Sequence, residues 1–201
     1  MPRVPLPHDL PDTPACLGFL ANGNGALVWT QHTERINPTT DKTTRTLRFV
    51  MVEDRPPPVD LFIEFDDENV EEVWEKTRKR LDAQLAKVGL VPCVEVSNTS
   101  GDAWSYSAGE KRITVRAVWD EAPPENEDED PNNDRGLDGH VRLFINGRAR
   151  DVTSMYAAPV DSGDHESLEQ VMRDPRGRTI IIMIANENDG LRSERAVVVR
   201  P

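Results

Sequence analysis

Apolar and polar residues alternate over most of this chain, and only one stretch changes to the three-and-four spacing of a helix. Two apolar runs between Ala15 and Gln31 flank Asn22-Gly23-Asn24-Gly25, a turn sequence able to adopt positive φ, so a hairpin is expected there. A polar stretch with Asn37-Pro38 and several threonines follows as a separator. From Thr46 to Glu53, Leu47, Phe49 and Met51 share one face and Arg48, Val50 and Val52 the other, which predicts a strand. Pro56-Pro57-Pro58 stops it, and the alternation from Val59 to Phe65 predicts the next.

Between residues 69 and 88, Val70, Val73, Trp74, Thr77, Leu81, Leu85 and Val88 form a single apolar stripe and predict a helix packed on a sheet. Asn69 with Glu72 fits a capping box, and Gly89 fits the C-terminal cap. Arg78-Lys79-Arg80 is expected to be a solvated face that complements the helix dipole. Further strands are predicted at 91–96, 103–107 and 112–119, the last with Ile113, Val115, Ala117 and Trp119 facing inward.

The organisation expected is a loose proline-rich arm at 1–14, an α+β domain at 15–120, an acidic linker at 121–139 and a β-rich module at 140–201. The linker carries Glu125, Glu127, Asp128, Glu129 and Asp130, which extend it by self-repulsion and offer a site for proteolytic nicking. In the final module, strands are expected at 141–145, 149–156 and 196–200, a short helix at 163–172, and a buried central strand at 179–186.

Two segments of that module, Val141-Arg142-Leu143-Phe144-Ile145-Asn146-Gly147-Arg148 and Ile182 to Glu194, resemble the Ig-like β-sandwich modules appended to bacterial caspase-like peptidases. In those modules a first strand ends in Asn-Gly-Arg and a later one reads A-N-x-x-G-L-x-S-x-P-A. Here Arg195 stands where proline is usual, and residues 161–178 read as an insertion. The resemblance implies an Ig-like module with an accessory role and assigns no catalytic residue. The fold class expected is therefore α+β, an antiparallel sheet with one long helix (69–88) followed by a small Ig-like β module.

Charge narrows the partners: 36 acidic residues against 24 basic ones leave the 201-residue chain at −12, which repels nucleic acid and anionic membrane at long range. No apolar run approaches spanning length and the first residues lack a secretory pattern, so a soluble cytoplasmic protein is expected. In that compartment Cys16 and Cys93 are expected reduced, with a bridge open to them only if their strands prove adjacent.

The chemistry on offer is incomplete. A Cys–His protease would draw on Cys16 or Cys93 and on His8, His32, His140 or His165, but neither cysteine has the small-residue setting of such a site. His165-Glu166-Ser167-Leu168-Glu169 approaches the zinc motif H-E-x-x-H but has Glu169 at the second ligand position, and reads as a helix start capped by Asp164. Asp128 to Asp134 lacks the glycine and terminal glutamate of a calcium loop. No catalytic residue, cofactor or metal is assigned. Trp104 with Tyr106 is the expected exposed aromatic pair for a partner. The function expected is a non-catalytic interaction or regulatory protein, an accessory partner or target of a bacterial caspase-like protease. The alternatives are a structural subunit of a phage or other large assembly, and an enzyme of unknown type.

Overall fold

Gly23, at φ 72°, makes the turn that its Asn-Gly context predicts, and β1 (Ala15–Leu20) and β2 (Gly25–Asn37) pair antiparallel around it. The computed structural model describes residues 5–53, 55–66, 69–101, 103–121, 137–157, 165–188 and 191–201. β2 does not stop at the polar stretch: it runs through it, turns at Pro38-Thr39 and returns as β3 (Thr40–Met51). The threonines explain why. Thr30 faces Thr46 and Thr33 faces Thr43 across the ladder, with hydroxyl pairs at 2.8 and 3.1 Å. Such cross-strand pairs stabilise a sheet without needing a core. β4 (Phe62–Asp66) then pairs with the other edge of β3.

α1 (Val70–Val88) lays Val70, Trp74, Leu81 and Leu85 on this sheet, against Leu27, Trp29, Leu47 and Phe65. The capping box does not form: Asn69 makes no side-chain cap, and Glu72 pairs with Lys76 one turn on instead. Gly89, at φ 71°, does end the helix, its N–H donating to the Leu85 carbonyl. Residues 5–14 lie against the same core. Leu6 is buried, and the indoles of Trp29 and Trp74 donate to the carbonyls of Pro11 and His8, each at 2.9 Å.

β5 (Leu90–Val91), β6 (Val94–Glu95) and β7 (Asn98–Ser100) are short, and β8 (Ala103–Ala108) and β9 (Lys111–Glu121) form a hairpin. β10 (Leu137–Ile145), β11 (Arg148–Ala157), β12 (His165–Arg173), β13 (Ile180–Asn188) and β14 (Leu191–Val199) complete the fold. Their ladders join β4-β3-β2-β14-β13-β12-β11-β10-β9-β8-β7 in one antiparallel order. Two junctions are single residue pairs, Ser193–His32 between β14 and β2 and Ala157–His165 between β11 and β12. Residues of β1 and β2 pack against Ile181 and Met183 of β13, so distant strands of this order share a core.

The α+β class is therefore overturned: 62% of the described residues are in strands and 11% in the one helix found among them. The short helix expected at 163–172 is strand β12, and Asp164 lies outside the described residues. The cause is visible in the pairing, because Leu168 and Val171 enter the core beside Ile182 and Ile184 with a bulge between Leu168 and Gln170. Tertiary packing has overridden a weak helical pattern.

β13 is the central buried strand, as its β-branched run predicts. Ile180, Ile182 and Ile184 face one core with Ile113, Val115, Val141 and Leu143, while Ile181 and Met183 face another with Phe19, Ala26 and Val28. Ladders between β9 and β10, β6 and β12, and β2 and β14 all join residues from either side of the acidic segment. Of that segment, residues 122–136 lie outside the described residues, while Glu121 and Leu137 are a ladder pair. Cys16 and Cys93 are disulfide-bonded across a Cα–Cα distance of 6.6 Å, in place of the reduced pair expected. β1 pairs with β5, and this brings the two cysteines together.

Candidate functional site: a basic cleft at one end of the sheets

Four turns and the last residues of the chain meet at one end of the molecule. The β12–β13 turn reaches the β1–β2 turn through Thr179, whose hydroxyl donates to the Gly23 carbonyl at 2.8 Å, and through Arg178, which donates to the Ala21 carbonyl at 3.2 Å. It reaches β8 through Tyr106, whose hydroxyl donates to the Gly177 carbonyl at 3.3 Å. The β10–β11 turn is tied to β9 by Asn146, which donates to the Arg112 carbonyl and accepts from the Arg112 amide, both at 2.9 Å. Arg200 donates to the Gly23 carbonyl at 3.3 Å, and Arg150 to the carbonyl of Arg200.

Between these turns lies an open cleft of about 520 Å³, lined by Lys111, Arg176, Arg178 and Arg200 together with backbone at Gly23, Gly109 and Gly177. All four cations are exposed, and Arg112, Arg148 and Arg150 sit on the adjoining turns. Two acidic residues lie nearby and leave the rim net positive. Asp174 is 1% exposed and is used inside its own turn, accepting from the amides of Arg178 and Thr179 at 2.6 and 3.1 Å and from the Arg178 side chain at 3.4 Å. Glu110 is exposed beside Lys111. Among the described residues, the side chains of Lys111 and Arg176 make no hydrogen bond or ion pair, so their charges are available to a ligand.

The floor is rigid. Gly177, at φ 65°, has no room for a side chain: a Cβ there would stand 2.9 Å from the Ala108 Cβ and 3.1 Å from the Tyr106 ring. Arg173 lies over the Tyr106 ring, 5.4 Å from its centroid. Burial pushes the Tyr106 phenol well above its ordinary pKa, against the opposing pull of Arg173. The cleft thus joins closely packed backbone to exposed cations at its rim.

The residues singled out from the sequence scatter. Trp104, expected exposed, is 6% exposed and packs with Ile113 and Val115, since its strand turns it inward. Tyr106 is half-buried and supports the cleft floor instead of facing solvent. Glu125, Glu127, Asp128, Glu129 and Asp130 lie outside the described residues. His165 stands 4.0 Å from Glu187 on a strand, where it cannot share a helical face with Glu169. Among the described residues no group of three or more His, Cys, Asp or Glu could hold a metal ion, and no helix is long and apolar enough to cross a membrane.

Two other concavities are chemically mixed. The largest described, about 970 Å³, lies between residues 8–12 and α1, where Asp9, Asp12, Glu71 and Glu75 alternate with Arg45, Arg78 and Lys79. A groove of about 410 Å³ at the β2–β14 junction holds Thr30, Thr46, Arg48 and Phe62 with the already paired Glu166, Glu194 and Arg195. Sequence reasoning missed the basic cleft because its cations come from turns far apart in the chain. The available signal was the basic turn Arg176-Gly177-Arg178, in a chain otherwise acidic. No family model matches the chain, and neither a curated protein nor a solved structure matches it.

Proposed function

We propose that this chain is a protein-interaction component that docks an acidic segment of a protein partner in the basic cleft between the β1–β2, β8–β9 and β12–β13 turns. The observation that carries this reading is the gathering of Lys111, Arg176, Arg178 and Arg200 around one cleft in a chain of net charge −12. Charge segregation of this kind favours association with a complementary patch and penalises wrong partners. Guanidinium groups suit the task because their planar forks bind carboxylates in pairs.

A protein partner is favoured over nucleic acid on two counts. The whole-molecule charge opposes a long polyanion, and the cleft presents no exposed aromatic platform on which bases could stack. The most specific form of the proposal follows from the resemblance of residues 141–148 and 182–194: an accessory partner of a bacterial caspase-like protease, with an acidic segment of that protease as the occupant.

The test is fluorescence anisotropy of a labelled octaglutamate peptide titrated with the full chain. Binding that weakens steadily as salt rises from about 50 mM to about 500 mM is expected, because screening shortens the reach of each charge to a few ångströms. Absence of binding at the lower salt contradicts the proposal.

A further inference from the structure

The sequence itself contains a ligand of the required kind. Asp120, Glu121, Glu125, Glu127, Asp128, Glu129, Asp130, Asp134 and Asp138 crowd into nineteen residues with only Arg135 to offset them. Geometry decides whether this run can meet the cleft of its own chain. Glu121 and Leu137 are a ladder pair at one end of the β9–β10 hairpin, and Lys111 is at the other. The ladder sets those ends about 34 Å apart, at roughly 3.4 Å per residue.

Residues 122–136 are tethered at both ends. At full stretch their midpoint, residue 129, reaches about 28 Å from Glu121, at roughly 3.5 Å per residue. Only the tip of a fully stretched segment, around residue 129, could approach the rim, and Glu125, four residues from Glu121, would reach about 14 Å. The acidic run cannot fill the cleft to which it is covalently joined.

A second molecule has no such limit. We infer that the basic cleft of one copy takes the acidic segment 120–138 of another, so that this chain is its own partner. The inference rests on the reading of the cleft as an acceptor of acidic protein segments. It adds the identity of the occupant. Opposite charges at opposite ends of the β9–β10 ladder allow an antiparallel pair with two contacts, or a head-to-tail chain with one contact per joint. The net charge of −12 per copy does not prevent this, since at physiological ionic strength the Debye length is about 8 Å and only charges near the contact are felt.

The experiment uses two full-length variants. In the first, Lys111→Glu and Arg176→Glu reverse the cleft; both side chains are exposed and make no hydrogen bond or ion pair among the described residues, so the fold is expected to be retained. In the second, Glu125→Gln, Glu127→Gln, Asp128→Asn, Glu129→Gln and Asp130→Asn neutralise the run. Sedimentation velocity of the native chain should show species that grow with concentration and dissolve at about 500 mM salt. Each variant alone should sediment as a monomer, and an equimolar mixture of the two variants, which brings the native run of the first to the native cleft of the second, should recover a one-to-one dimer. A native chain that stays monomeric at every concentration overturns the inference, as does a cleft-reversed variant that associates like the native chain. The free peptide 120–138 separates the two levels of the argument. If it binds the native chain while the chain stays monomeric, self-association fails and the cleft reading stands; if it does not bind, both fail.

Discussion

At the residue scale, Arg48 is a charged group without an evident reason in the fold. Arg48 lies on β3 facing the β2–β14 junction, and its Nε is buried with no hydrogen-bond partner. The carboxylates that line the same groove are occupied elsewhere: Glu166 by Arg195 at 3.0 Å, and Glu194 by Arg192 at 2.8 Å and the Gln31 amide at 3.2 Å. A buried donor left unsatisfied carries its full desolvation cost. Arg48→Met, which keeps the stem and removes the donor, is therefore expected to raise stability by about 1 kcal/mol in urea unfolding. A loss of similar size would mean that the guanidinium has a partner after all. The alternation around Leu47 and Phe49 made the position of Arg48 legible from sequence, but not its isolation, which depends on where Glu166 and Glu194 end up.

Tyr106 provides a pH test at the same scale. Its phenol is raised by burial above the ordinary value of about 10. Below that pH the folded and unfolded chains both hold the proton, and the contribution to stability is complete. Above it the unfolded chain ionises while the folded one does not, so stability falls as pH rises. Thermal unfolding should show Tm declining from about pH 10 upward, and Tyr106→Phe should flatten that decline. An unchanged slope in the variant would place the alkaline sensitivity elsewhere.

Among elements, Arg195 links three strands. From β14 it holds Glu166 of β12 at 3.0 and 3.1 Å, the Thr153 hydroxyl of β11 at 2.9 Å and the Ser154 carbonyl at 2.6 Å. It thereby ties β11 to β12 and β14 where the ladder itself is reduced to the single pair Ala157–His165. Arg195→Ala removes this arginine's ion pair with the mostly buried Glu166, and should cost about 1–2 kcal/mol by denaturant unfolding, a figure reduced for the partial exposure of the pair. Pairing Arg195→Ala with Glu166→Gln should restore part of that loss; a double variant no better than the single would show that the arginine acts through the β11 contacts instead.

Elements also mark the limits of sequence reading. Strands whose apolar faces alternate, such as β3, β9 and β13, were legible, and so was α1 with its unbroken stripe. The polar half of β2 was not, because its pairing depends on threonines opposite threonines and not on a core. β12 was missed for a related reason: its helical appearance gave way to neighbours, Ile182 and Ile184, that the local pattern does not contain.

Over the whole molecule, the strands before and after the acidic segment share their ladders and their cores, with β13 buried on both faces at the centre. That arrangement gathers turns from distant parts of the chain at one end, and the basic cleft is its product. Composition alone pointed away from anionic partners, because −12 is a sum and the cleft is a local exception to it. The central claim, that this cleft receives acidic protein segments, is tested most directly by repeating the octaglutamate titration with the Lys111→Glu, Arg176→Glu chain. The account predicts affinity weakened by at least roughly tenfold relative to the native chain at low salt. Equal affinity in the two proteins would contradict it, since the peptide would then be bound somewhere other than the cleft.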